Sequence, residues 1–208
     1  KDVKFCLAFI HSPSSFHSSK KKIVVPDDVK GLKVRPAHAT MANFVTALGG
    51  TNVQSSAPEV RDIIERGVAD AVTFPWGSLV LFGIDKVTKY HIEAPLYVTT
   101  FTFVMNKDKY NQMSDRQKKA IDNNCNTDMA GRVGEYWGKF EDAGIDKVKA
   151  QPDHEVYKLT AEQTAAWKKA AEPLVKTWGE GVRKNGDDPD AALNGLRDAL
   201  KKYNALAQ

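Results

Sequence analysis

The chain has 208 residues, a length that accommodates one or two domains. Hydrophobic residues make up 42% and charged residues 27%, ordinary proportions for a soluble protein that exclude disordered and fibrous classes. Lys and Arg number 30 against 26 Asp and Glu, and the resulting net charge of +4 is too small to point to a nucleic-acid partner.

Residues 5–10 form a continuous apolar run and read as a buried strand. A Ser- and Lys-rich polar loop follows at 12–22, and its Lys20, Lys21 and Lys22 read as a solvated surface. Pro26, Asp27 and Asp28 open a helix or turn that Gly31 ends, and 32–35 is a short strand. Apolar residues at 41, 44, 45 and 48 have helical spacing, with Gly49 and Gly50 as the stop. A strand at 51–54 precedes a helix capped by Ser55 or Ser56, with Val60, Ile63 and Ile64 as its stripe and Gly67 as its end. Residues 68–74 are the next strand, and this alternation predicts an α/β lobe with a mainly parallel sheet. A short helix at 79–87 leads to 97–105, a β-branched and aromatic run long enough to serve two lobes. Ile121, Cys125, Met129, Val133, Trp137 and Phe140 then predict one long amphipathic helix stopped at Gly144. A short strand at 156–159 precedes a helix opened by a capping box at Thr160, with Trp167, Ala170, Ala171, Leu174 and Trp178 inward and Pro173 as a kink. A last helix from about 189 to 206 turns Leu193, Leu196, Leu200 and Tyr203 inward.

Cys6 and Cys125 are too few and too far apart for a disulfide framework and read as two buried thiols. No P-loop, nucleophile elbow, dinucleotide fingerprint or zinc spacing is present, so no cofactor is expected, and the five histidines are scattered. Arg35 ends a strand before Pro36. Ligands in open α/β sheets lie beyond the carboxyl ends of strands, where an arginine fork fits a carboxylate; the alternative is an ion pair with Glu59 or Asp70. Phe74 and Trp76 flank Pro75 at another strand end, where they form either a pocket wall or a packed corner.

Several segments together resemble the solute-binding proteins of tripartite ATP-independent periplasmic (TRAP) transporters: PDDVKG at 26–31 with LKVRP at 32–36, EVRDIIERGVADAV at 59–72 followed by Pro75, and FVMNKDKYNQMSDRQKKAI at 103–121. The resemblance implies an α/β, periplasmic-binding-protein-like (type II) two-lobe architecture. Residues 1–97 would form the ligand-binding lobe, 98–113 a hinge strand returning to an incomplete first lobe, and 114–208 the C-terminal helices. Such proteins run longer, so the chain, which opens at Lys1 with no export leader, reads as a piece lacking most of its first lobe; it is expected to self-associate or to retain the missing N-terminal piece.

The implied function is periplasmic capture of a small organic acid for integral-membrane TRAP transporter subunits. An enzyme acting on a carboxylic acid and a ligand-sensing extracytoplasmic domain are the competing classes. The family's carboxylate-binding arginine falls on Arg35, and Ser14 and Thr73 are candidate donors beside it. Pro13, Ser14 and Ser15 stand where relatives carry a further arginine, and Phe74 where they carry asparagine. With Trp76, this predicts a monocarboxylate with an apolar or aromatic body.

Overall fold

A computed structural model describes residues 2–206. Its body is a six-stranded mixed sheet in the order β4-β3-β5-β2-β6-β8, built from β2 (Ser15–Ser18), β3 (Lys33–Arg35), β4 (Thr51–Asn52), β5 (Ala71–Phe74), β6 (Tyr90–Ile92) and β8 (Glu155–Tyr157). The expected parallel βαβ unit is there: β3 pairs in parallel with both β4 and β5. The sheet is mixed because β2 inserts antiparallel between β5 and β6.

β2 falls in what the sequence presents as a polar loop, and β6 was not anticipated either. Ser15, Phe16, His17 and Ser18 are all buried, and they tolerate it because most of their polar atoms are partnered. His17 Nε2 faces the Phe74 carbonyl at 2.9 Å, and the Ser18 hydroxyl accepts the amides of Lys20 and Lys21. A strand covered on both faces need not show an apolar-polar alternation.

Both faces of the sheet are covered. Val34, Ala71, Phe16 and Ile92 pack under α1 (Ala39–Ala47) and α7 (Ala161–Lys184), with Trp167 as the largest ring of that layer. Val72, Phe74, Val60, Ile64 and Leu79 form the opposite layer, under α2 (Val60–Glu65) and α3 (Trp76–Leu81). Each Val, Leu, Ile or Phe of these layers, fully removed from water, contributes about 1.5–3 kcal/mol.

β1 (Val3–Ile10) and β7 (Thr100–Asn106) form a separate antiparallel ribbon. The strand at 5–10 is therefore present but not buried: Val3, Phe5 and Ile10 are exposed, and Phe103 on β7 is 62% exposed. After α4 (Lys107–Asn111), the predicted long helix is two helices, α5 (Asp115–Asn124) and α6 (Thr127–Lys149). The break at 125–126 arises because Asn126 accepts the Met129 N–H and caps a new helix. The buried-thiol reading is also corrected, since Cys6 and Cys125 form a disulfide that joins β1 to this break.

Gly144 does not stop α6. A β-carbon there would lie 2.3 Å from the Gly77 nitrogen, and one at Gly77 would lie 2.4 Å from the Phe140 oxygen. The two glycines let α3 and α6 cross backbone against backbone. The capping box at Thr160 opens α7, which carries Pro173 inside it, but Trp178 is exposed rather than inward. α8 (Pro189–Lys202) likewise leaves Leu196, and Tyr203 at its end, exposed.

Candidate ligand-binding site

Arg35 lies opposite Val72 in the parallel pair β3 and β5, so the two strands end at one edge of the sheet, each followed by a proline. Beyond that edge lies a cavity of about 270 Å³ lined by Arg35, Phe74, Ser78, His11, Phe101 and Trp137, with Ala57, Phe82 and Thr99 completing the wall. The sheet body supplies Arg35 and Phe74, while the ribbon supplies Phe101 and α6 supplies Trp137.

Arg35 is half-buried, and its Nε and Nη2 donate to the Ser55 carbonyl at 3.2 and 3.0 Å. A guanidinium carries five N–H groups in a fixed fork. Ser55 occupies the Nε edge and leaves the end formed by Nη1 and the outer Nη2 proton, a spacing that matches a carboxylate. Burial pulls the Arg35 pKa down and Tyr97 acts in the opposite direction, yet a guanidinium stays cationic in a protein. Its carbon sits 5.5 Å from the Phe74 ring centroid.

Neither acidic residue proposed as an internal partner reaches it. Glu59 accepts from the amide and hydroxyl of Ser56 at 2.8 and 2.7 Å. Asp70 is held by Lys20 at 2.7 Å and by the Lys33 amide at 2.9 Å. Among the described residues, Arg35 has no counter-charge.

Much of the rest of the wall is aromatic, with Ala37, Ala57, Pro75 and Thr99 between the rings. Phe101 stacks on Trp137 at 5.1 Å and on Phe9 at 5.4 Å, and Phe82 meets Phe74 edge-on at 5.9 Å. Behind this wall the Glu141 carboxylate accepts the Trp137 indole N–H at 2.8 Å, the Ser78 amide at 2.9 Å and the Ser78 hydroxyl at 2.5 Å.

Of the residues singled out in the sequence, Arg35 and Phe74 meet in this cavity. Trp76, Ser14 and Thr73 do not line it. Trp76 is the packed corner, set edge-on against His17 at 4.7 Å. Ser14 is fully buried, its hydroxyl donating to the Ser12 carbonyl at 3.2 Å. Thr73 points its buried hydroxyl at the scaffold and accepts the Ala37 amide at 2.7 Å. His11, Ser78, Phe101, Trp137 and Glu141 were not anticipated. Trp137 and Phe101 carried burial patterns only, and nothing in the linear sequence links them to Arg35, about a hundred or fewer residues away in the chain.

The sequence profile of the bacterial extracellular solute-binding protein family 7 (DctP) matches residues 7–181. This chain belongs to that family. Its members and structural neighbours are TRAP solute-binding proteins, transport components rather than enzymes. The chain is similar to a TRAP solute-binding protein of Rhodoferax ferrireducens solved with copurified benzoate, at 26% identity and a TM-score of 0.86 over 97% of this chain and 64% of that one. It is also similar to a marine metagenome TRAP solute-binding protein described as specific for aromatic acid ligands and solved with 3-hydroxybenzoate. There the identity is 30% and the TM-score 0.83, over 96% of this chain and 63% of the other. The C4-dicarboxylate-binding periplasmic protein DctP of Rhodobacter capsulatus is 22% identical over 179 residues, 85% of this chain. The chain spans about half the length of such curated relatives, 53% in that case.

The α/β fold expected from the sequence is therefore that of the TRAP solute-binding proteins. Family membership places the chain in the periplasm, and no helix among the described residues is long and apolar enough to cross a membrane.

Proposed function

We propose that this chain is the ligand-binding portion of a TRAP solute-binding protein that captures a small monocarboxylic acid with an aromatic or apolar body and presents it to integral-membrane transporter subunits. The observation that carries the reading is the open end of the Arg35 fork, a cation without counter-charge in an aromatic cavity. At about 270 Å³ the cavity lies just below the usual range of ligand sites, about 300–1,000 Å³, and this favours a small acid, while the aromatic lining favours an apolar body over a hydroxylated one.

In this mechanism the acid enters with its carboxylate toward Nη1 and Nη2 of Arg35, and its body slides between Phe74 and the Phe101–Trp137 stack. Phe74 and Arg35 belong to the sheet body, whereas Phe101 belongs to the ribbon, so a ligand touching both draws the two parts together. Exclusion of water strengthens the ion pair. The pair must also offset the desolvation of both charges, which the bidentate geometry and the fixed Ser55 contact make feasible, since the guanidinium is already ordered before the ligand arrives.

The experiment is a thermal-shift and calorimetric screen of the intact protein against benzoate, 3-hydroxybenzoate, malate and glucuronate. A ligand present at 100 times its Kd stabilises the folded protein by about 2.7 kcal/mol. The expected result is stabilisation by the aromatic monoacids. Stabilisation by malate or glucuronate alone overturns the assignment.

A further inference from the structure

We propose that Glu141 is a specificity-determining residue that restricts this site to acids carrying a single carboxylate. The proposal rests on the reading of Arg35 as the carboxylate anchor.

Glu141 is 1% exposed and faces three donors: the Trp137 indole N–H, the Ser78 amide and the Ser78 hydroxyl. The indole and amide N–H groups can only donate, so toward them the carboxyl group accepts. It has no cationic partner among the described residues, so its charge is compensated by hydrogen bonds alone.

The consequence falls on the cavity wall. Trp137 and Ser78 both line the cavity, and each has committed its side-chain proton to Glu141 behind the wall. His11, the polar ring of the lining, turns Nδ1 to the Ser12 carbonyl at 2.5 Å, which commits the Nδ1 proton to the scaffold. Away from Arg35, the lining side chains therefore present mostly aromatic rings and few donors, the Thr99 hydroxyl among them. A second carboxylate would be stripped of water, meet no cation besides Arg35 and few neutral donors, and lie near the buried Glu141 carboxylate. A neutral amide in the same place would find acceptors for its N–H groups.

The test compares two ligands of the same shape, 3-carbamoylbenzoate and isophthalate, which differ in whether the second substituent is an amide or a carboxylate. Their affinities are measured by calorimetry on the intact protein and on Glu141→Gln. In the unsubstituted protein the amide is expected to bind at least about tenfold more tightly, equivalent to about 1.4 kcal/mol. Glu141→Gln is expected to shrink that ratio toward one, whatever it does to overall affinity, since Gln removes the charge and must turn its amide toward at least one of the three donors. A purely structural role would weaken both ligands by the same factor, and an unchanged ratio therefore overturns the proposal. Equal affinities in the unsubstituted protein overturn it without any variant, so poor folding of Glu141→Gln does not shelter it. Unchanged binding of 3-carbamoylbenzoate to Arg35→Ala would instead show that the anchor has been misassigned.

Discussion

His17 and His91 meet Nδ1 to Nδ1 at 2.9 Å inside the sheet, and only one of the two nitrogens can carry the shared proton. The Phe74 carbonyl decides which. It can only accept, so His17 Nε2 is protonated, His17 Nδ1 accepts from His91 Nδ1–H, and His91 Nε2 accepts from His154 Nδ1–H at 2.9 Å. The chain runs from a residue of the cavity wall to the half-exposed His154, and it is consistent with three neutral rings.

This arrangement sets a pH dependence. Burial pushes the His17 pKa from 6.5 to about 4. Burial, with His17 and His154 nearby, pushes His91 down too. Both folded-state values lie below the unfolded one, so the unfolded chain binds more protons and stability is lost as pH falls from about 6.5 toward 4. For His17 the loss approaches about 3 kcal/mol at the acid end. The unliganded protein is expected to show a melting temperature that declines between pH 7 and pH 5, and His91→Phe to flatten that decline. A profile flat to pH 5 in the unsubstituted protein would contradict the neutral chain.

Arg35 variants separate charge from geometry. Arg35→Lys keeps the cation but loses the fork and the Ser55 contacts, and is expected to weaken acid binding by about tenfold or more. Arg35→Ala is expected to weaken it by at least about a hundredfold, or about 2.8 kcal/mol. Titration calorimetry with benzoate checks both, and an unchanged affinity for the alanine variant removes the anchor.

Gly144→Ala places a methyl group against the backbone of Trp76 and Gly77, neither of which can swing away as a side chain could. Overpacking of this kind costs about 1–3 kcal/mol, and more where backbone must move. Denaturant unfolding is expected to show a lowered midpoint. Gly131→Ala, which meets nothing nearby, serves as the control and is expected to match or exceed the parent.

The Cys6–Cys125 bridge closes a loop across a sequence separation of 119 residues. Loop-closure entropy alone puts its contribution at about 5 kcal/mol, with native-state relaxation able to reduce it. Reduction, or the Cys6→Ser and Cys125→Ser pair, is expected to lower the melting temperature. The ribbon should loosen first, as protease cleavage within residues 3–10 or 100–106 would register.

The ribbon and α5 leave an apolar hollow of about 590 Å³ bordered by Leu7, Phe103, Met105, Ile121 and Met129. A surface of this kind is rarely left bare. The 208-residue chain on its own is expected to elute above its 23.0 kDa mass, and Phe5→Lys with Phe103→Lys to return it toward the monomer. Monomeric elution of the unsubstituted chain would show that the hollow needs no cover.

Much of the sheet body was legible because its signals are local. Gly31, Gly49 and Gly67 end their segments in the left-handed region, Thr160 caps α7, and Arg35 sits between a strand and a proline. β2 has the composition of a loop because its polar side chains, His17 toward the Phe74 carbonyl and Ser18 toward the Lys20 and Lys21 amides, find partners that no periodicity marks. The helix break at Cys125 lay hidden because the apolar spacing continues in phase across it, while the cap that makes it depends on one Asn126 contact. The site divides in the same way. Arg35 and Phe74 end strands and could be read, whereas Trp137 and Phe101 become wall residues only when α6 and β7 are brought to the sheet edge.

The crossing at Gly77 and Gly144 gives α6 the character of a beam clamped at one end. Its last turns cannot slide past α3, while its first turn follows a break stapled to the ribbon. Any swing of the ribbon relative to the sheet must therefore be absorbed as flexure along the free span, where Gly131, Gly134 and Gly138 offer the least resistance, or at the two linkers around residues 11–13 and 97–99. Trp137 sits on that span, so the lever that moves the ribbon also carries one ring of the cavity wall.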